Sequence, residues 1–186
     1  MATIGLKNLY FAPFLDEAAG TYAAPVKIAE AIEANVEVST ESATLYGDDR
    51  AIETADSLGD IEIELNVADL LPDKYALLLG KTKNADGVIE DSIDDVAPYG
   101  ALSFELPKAN GNRKLYVYYK GKFQPPGTEA TTKGDSVEFQ TQTINGKFLP
   151  REDGKWRAHL DTSDADADAA VASAWFTGVY DPTPTV

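Results

Sequence analysis

The segment IEIELN, residues 61 to 66, alternates apolar and polar side chains with period two. Only an extended strand puts Ile61, Ile63 and Leu65 on one side and Glu62, Glu64 and Asn66 on the other. The pattern recurs in ANVEVST (34 to 40) through Val36 and Val38, and in GALSFELP (100 to 107) through Leu102, Phe104 and Leu106. KLYVYYKGKF (114 to 123) is dense in aromatic and β-branched residues, and the Asn-Gly of the preceding KANGNRK predicts a hairpin turn. A first strand is expected near 3 to 12 and a long ribbon at 135 to 149. The chain therefore reads as a mainly antiparallel β protein.

The ribbon lies in TKGDSVEFQTQTINGKFLP (132 to 150). Alternation places Val137, Phe139, Thr141 and Thr143 on one face and Glu138, Gln140 and Gln142 on the other. Amides and hydroxyls dominate it, and none of them is a good base or nucleophile, so the ribbon is a poor candidate for a catalytic site.

Two helices are expected to flank the strands. In ADLLPDKYALLLG, Pro72 suits a first helical position and Gly80 a helix end, with Tyr75, Leu78 and Leu79 covering a sheet. A C-terminal helix near 165 to 179 is read from DADADAAVASAWFTGVY, with Val171, Trp175 and Val179 as its apolar stripe.

Composition bounds the function. With 186 residues and 44% hydrophobic residues, the chain can bury one core, and a single domain spanning 1 to 186 is expected. It has no cysteine, which removes disulfides and thiolate metal sites. The opening MATIGLKNLYFAPFL has no basic region followed by an apolar run, so no signal peptide is expected. No apolar run is long enough to span a bilayer. The net charge of −15, from 31 acids and 16 bases, disfavours retention of nucleic acid, which depends on Lys and Arg neutralising phosphates. The charge is also uneven. Residues 48 to 69 hold eight acids and one base, whereas 108 to 122 hold five bases and no acid. Such runs are usually solvated faces, but two opposite faces of one molecule could also attract neighbouring copies.

No catalytic, cofactor-binding or metal-binding residue is assigned. YGDDR (46 to 50) could present paired carboxylates to a hard cation, but the ligand spacing of a calcium loop is missing, and a solvated hairpin turn explains it. DTSDADAD (161 to 168) reads as a helix N-cap followed by acids that suit the helix dipole. His159 is the single histidine, and no serine lies in a G-x-S-x-G context. GKTK (80 to 83) lacks the earlier glycine of a phosphate loop, since Tyr75 stands there.

The order of these features resembles the major tail (tail tube) proteins of long, flexible-tailed bacteriophages. The resemblance covers nearly the whole chain. It starts with IGLKNLYFAPF and continues through TYAAPVKIAEAIEANVEVSTESATLYGDD, where Glu41, Ala43, Leu45, Tyr46, Asp48 and Asp49 match the family's E-x-A-x-L-Y-x-D-D pattern. IEIELNVADLLPDKYALLLG is similar to the family's acidic strand and Pro-started helix. The aromatic hairpin, Pro turn and T-K-G-D-S-x-x-F-Q-T-x-T-x-x-G strand lie within APYGALSFELPKANGNRKLYVYYKGKFQPPGTEATTKGDSVEFQTQTINGKFLP, and WFTGVYDP closes the match. The turn at 84 to 98 departs from the family.

The resemblance implies two antiparallel sheets in a β-sandwich or open barrel with flanking helices. It implies a virion protein, made in the host cytoplasm, that assembles into hexameric rings stacked as a tail tube. Its partners would be further copies of itself and the tape-measure, tail terminator and distal tail proteins, with double-stranded DNA only in passage. An inter-subunit or inter-ring contact is then expected at Tyr46, Gly47, Asp48, Asp49 and Arg50, in a long irregular loop over 46 to 60. Candidate bore-lining residues are Glu62, Glu64, Glu138, Gln140 and Gln142. Two alternatives stand beside this. One is a ring protein of a contractile secretion system. The other is a carbohydrate-binding module with Trp156, Tyr116, Tyr118 and Tyr119 stacked on sugars.

Overall fold

The computed structural model describes residues 2–127 and 141–182. Among these residues nine strands run in the order β1 (Lys7–Asp16), β2 (Thr21–Tyr22), β3 (Val26–Lys27), β4 (Ala31–Gly47), β5 (Arg50–Val67), β6 (Gly100–Pro107), β7 (Arg113–Phe123), β8 (Gln142–Leu149) and β9 (Arg157–Asp161). Helix α1 (Pro72–Leu79) follows β5, and α2 (Ala169–Ala174) follows β9. The mainly β class with flanking helices is as expected. Hydrogen bonds link all nine strands into a single antiparallel sheet, in the order β2-β1-β6-β7-β8-β5-β4, with β3 on β1 and β9 on β7.

The sheet curls on itself. After β3, Ile28 donates its N–H to the Leu9 carbonyl, and Glu30 accepts from the N–H of Ala68 just past β5. That stitch draws the β1 end of the path toward the β5 end. The enclosed core takes Leu9 and Phe11 from β1, Ile61, Ile63 and Leu65 from β5, Leu102 and Phe104 from β6, and Ile144 and Phe148 from β8. Helix α1 plugs it with Leu78 and Leu79, both buried as their helical spacing predicts. Pro72 opens the helix, and Gly80 closes it in the left-handed conformation at φ 66°.

Strand β7 is apolar on both faces, because both are covered. Tyr118 faces the main core, while Leu115, Val117 and Tyr119 face a second cluster built with Ala172 and Trp175. The register then slips. Leu102 pairs with Tyr118 but Gly100 pairs with Gly121, so β7 carries one extra residue, and Phe123 returns to the main core.

Several expectations need correction. The C-terminal helix is shorter than the 165 to 179 read from its stripe. Asp168 caps it by accepting from the Ala170 N–H at 2.7 Å, and the chain turns after Ala174. Trp175 and Val179 still pack on the second cluster, from that turn instead of a helix. Strands β2, β3 and β9 were not anticipated. The segment expected as an irregular loop over 46 to 60 is instead the far half of one hairpin, with β4 and β5 paired from Ala31–Val67 to Gly47–Arg50. Of the ribbon expected at 135 to 149, residues 142 to 149 form β8, and the part up to residue 140 lies outside the described residues.

Candidate assembly surfaces

The β4–β5 hairpin begins as part of the barrel and ends as a free arm. Near its base Val36 pairs with Ile63 and Ala34 with Leu65, on the core side. Strand β5 pairs with β8 only over Ile61–Val67, so beyond Asp60 the hairpin has no third strand among those described. Glycines aside, every residue from Val38 to Asp60 is exposed. Large apolar side chains are included: Leu45 is 60%, Tyr46 70% and Ile52 62% exposed. Between them the cross-strand pairs are small, with Ala43 opposite Ala55 and Thr44 opposite Thr54. The tip turns through Asp48 and Asp49, both left-handed at φ 49° and 59°. That is the conformation a two-residue hairpin needs, and one that Asp tolerates.

An isolated two-stranded ribbon is marginally stable in water. Among the described residues this one also has no partner along either long edge, leaving N–H and C=O groups that can template another chain. Tyr46, Gly47, Asp48, Asp49 and Arg50 all come together at its tip, roughly 35–40 Å from Glu62 at strand rise. The inter-subunit and bore-lining candidates are therefore two separate places on the molecule.

The second place is the polar outer face of β4, β5, β8 and the end of β7. Register lays out its rows. Glu33 pairs with Asn66, which pairs with Thr143; Asn35 pairs with Glu64 and that with Asn145. Glu37 pairs with Glu62, Glu62 with Lys147 and Lys147 with Lys122. The Asn66 amide donates to the Thr143 hydroxyl at 3.4 Å. Lys147 meets Glu62 at 3.1 Å, and that carboxylate raises the lysine pKa. A groove of about 280 Å³ runs along the face, lined by Asn35, Glu37, Glu62, Glu64, Asn145 and Lys147 among others.

Of the bore-lining candidates, Glu62 and Glu64 lie on this face. Gln142 does not. It pairs with Val67 and so points to the side of Ile144, while Thr143 points outward. The expected phase is reversed because Ile144 and Phe148 are large and apolar and claim the core. Glu138 and Gln140 lie outside the described residues. Lys147, Lys122 and Asn145 were not anticipated; counting back by twos from a buried Phe148 puts Gly146 and Ile144 on the core side and leaves Lys147 and Asn145 between them to face outward.

The basic run is largely spent inside the chain. Lys108 is held by Asp161 at 2.5 Å and by the Ser163 hydroxyl at 2.8 Å, Arg113 by Glu105 at 3.0 Å, and Lys120 by Glu17. Attraction between a basic face and a neighbour's acidic face therefore has little to work with. The aromatic platform for sugars also fails. Tyr118 is 2% and Tyr119 0% exposed, Tyr116 stacks on Phe104 and His159, and the Trp156 ring is covered by Arg157 at 4.5 Å. His159 is part of that packing. Among the described residues no three His, Asp or Glu side chains converge as metal ligands, and no helix is long and apolar enough to cross a membrane.

No protein-family model matches the chain, and no curated protein matches it. Among solved structures it is similar to the cap of the anti-feeding prophage, a tube terminating cap. That match covers 87% of this chain and 93% of the other, at 11% identity and a TM-score of 0.43. A likeness at that level carries no argument about function.

Proposed function

We propose that the chain is a non-catalytic structural protein of a phage tail, which self-assembles into stacked hexameric rings forming a tail tube. The observation that carries this reading is the β4–β5 arm. A free hairpin with exposed Leu45, Tyr46 and Ile52 and two open edges is costly to leave in water, and a neighbouring copy would cover it. The sequence resemblance to tail tube proteins supplies the kind of assembly, and the outer face of β4, β5 and β8, polar apart from Leu149 at the end of β8, supplies a surface fit to border a wet bore. In a completed virion the arms and edges of the terminal rings would meet the terminator and distal tail proteins, and the bore would hold the tape measure and then the DNA.

Sedimentation velocity of the purified chain tests this. Species far larger than the 20.0 kDa monomer are expected, growing with concentration. A monomer at every concentration and salt would remove the proposal.

A further inference from the structure

Two pairs of like charges stand directly opposite each other on the polar face. Glu37 of β4 faces Glu62 of β5, and Lys122 of β7 faces Lys147 of β8. Directly opposed side chains have Cβ atoms about 4.5–5.5 Å apart, so each pair is unfavourable by itself. The pairs meet at the 3.1 Å contact between Glu62 and Lys147. Four neighbouring strands thus carry one row reading acid, acid, base, base. At its basic end Lys122 lies over the Tyr99 ring at 5.2 Å, with Lys120 over the same ring at 5.3 Å. Local pairing rules broken twice in one row mark a surface with a task.

We infer that Glu37 and Glu62 mask the Lys122–Lys147 pair against a duplex polyanion, so that the face lets phosphates pass without retaining them. The inference rests on the reading that this face borders a conduit for DNA. Adjacent lysines with amide donors nearby, here Asn145 and Gln124, are what phosphate oxygens bind. A basic row alone would hold a duplex, because each neutralised phosphate releases a counterion. Here the acids sit on the neighbouring strands, one of them bonded to Lys147. Four carboxylates (Glu33, Glu37, Glu62, Glu64) against two lysines leave the rows net negative. The wall is striped, not uniformly acidic, and its selectivity lies in the balance of neighbouring stripes.

The test is anisotropy of a short fluorescent DNA duplex with the unassembled full chain at low salt. Wild type should bind only weakly, near the upper end of the concentrations reached. The Glu37→Gln/Glu62→Gln variant should bind at least about tenfold more tightly than wild type and lose that gain as salt rises. Glu62→Gln alone should give part of the gain, and adding Lys122→Ala and Lys147→Ala should abolish it. A control on the arm, Glu41→Gln/Glu53→Gln, makes the same change in net charge and should leave binding unchanged. The inference is overturned if the masked-pair variant binds no better than wild type, if binding survives loss of both lysines, or if the arm control gains as much. Rod formation is scored separately on the same proteins. Missing rods with a positive anisotropy result would remove the conduit reading and leave the masking intact.

Discussion

Gly121 of β7 lies directly opposite Phe148 of β8, and the Phe148 ring occupies the space that a Cβ on Gly121 would need. This contact sits just past the slip in β7 that sends Phe123 back into the main core, where Phe123 and Phe148 meet edge to face with centroids 6.0 Å apart. Gly121→Ala should therefore displace an aromatic ring inside a packed core. A loss of about 1–3 kcal/mol is expected, read as a lower urea midpoint with an unchanged slope. An unchanged midpoint would show that the ring has room to move.

Leu78 is the innermost residue of α1 and is fully buried. Leu78→Ala should cost about 2–5 kcal/mol through lost burial and the cavity left behind. Leu78→Asp, which adds an unpaired buried charge, should cost more. Thermal melts of both variants check the order. A melt of Leu78→Asp that matches wild type would mean the helix does not plug the barrel.

Lys108 and Asp161 tie the β6–β7 turn to the end of β9, with Lys108 almost fully buried. The lysine, followed by the Ser163 N–H, holds the Asp161 carboxyl well below the usual carboxylate range. A carboxylate whose pKa is depressed on folding contributes stability above its unfolded pKa of about 3.9, and that contribution is lost as pH falls through the folded value. Asp161→Asn should thus be less stable than wild type near neutrality, with the gap narrowing only below about pH 4. Urea midpoints of both proteins across pH provide the check. A constant gap down to pH 2 would contradict the pairing.

Much of the barrel was legible because apolar alternation is strong wherever a strand faces the core. Gly100–Pro107 and Pro72–Leu79 match the pattern residue for residue. The arm was not legible, because from Thr40 to Asp60 every residue but the glycines is exposed and so no apolar period shows. What makes them strands is continued pairing with each other and the Asp48–Asp49 turn, whose hairpin character was visible in YGDDR. The two-residue β2 and β3 are too short to carry a pattern, and β9 is only five residues long. The slip in β7 is hidden because LYVYYKGKF is apolar in both phases around Tyr118 and Tyr119. The bore-lining face was half legible. IEIELN placed Glu62 and Glu64, while a ribbon of amides and hydroxyls gave Gln142 the wrong side until Ile144 and Phe148 fixed the phase.

The arm is the proposed contact between copies. Negative-stain microscopy of the purified chain, beside a variant in which residues 41 to 57 are replaced by a two-residue turn, tests it most directly. The trimmed residues are exposed, so the variant should keep its fold and lose no more than about 1 kcal/mol of stability. Rings or hollow rods are predicted for the full chain and dispersed single particles for the trimmed one. Rods of ordinary length from the trimmed chain, or no assembly from the full chain, would contradict the account.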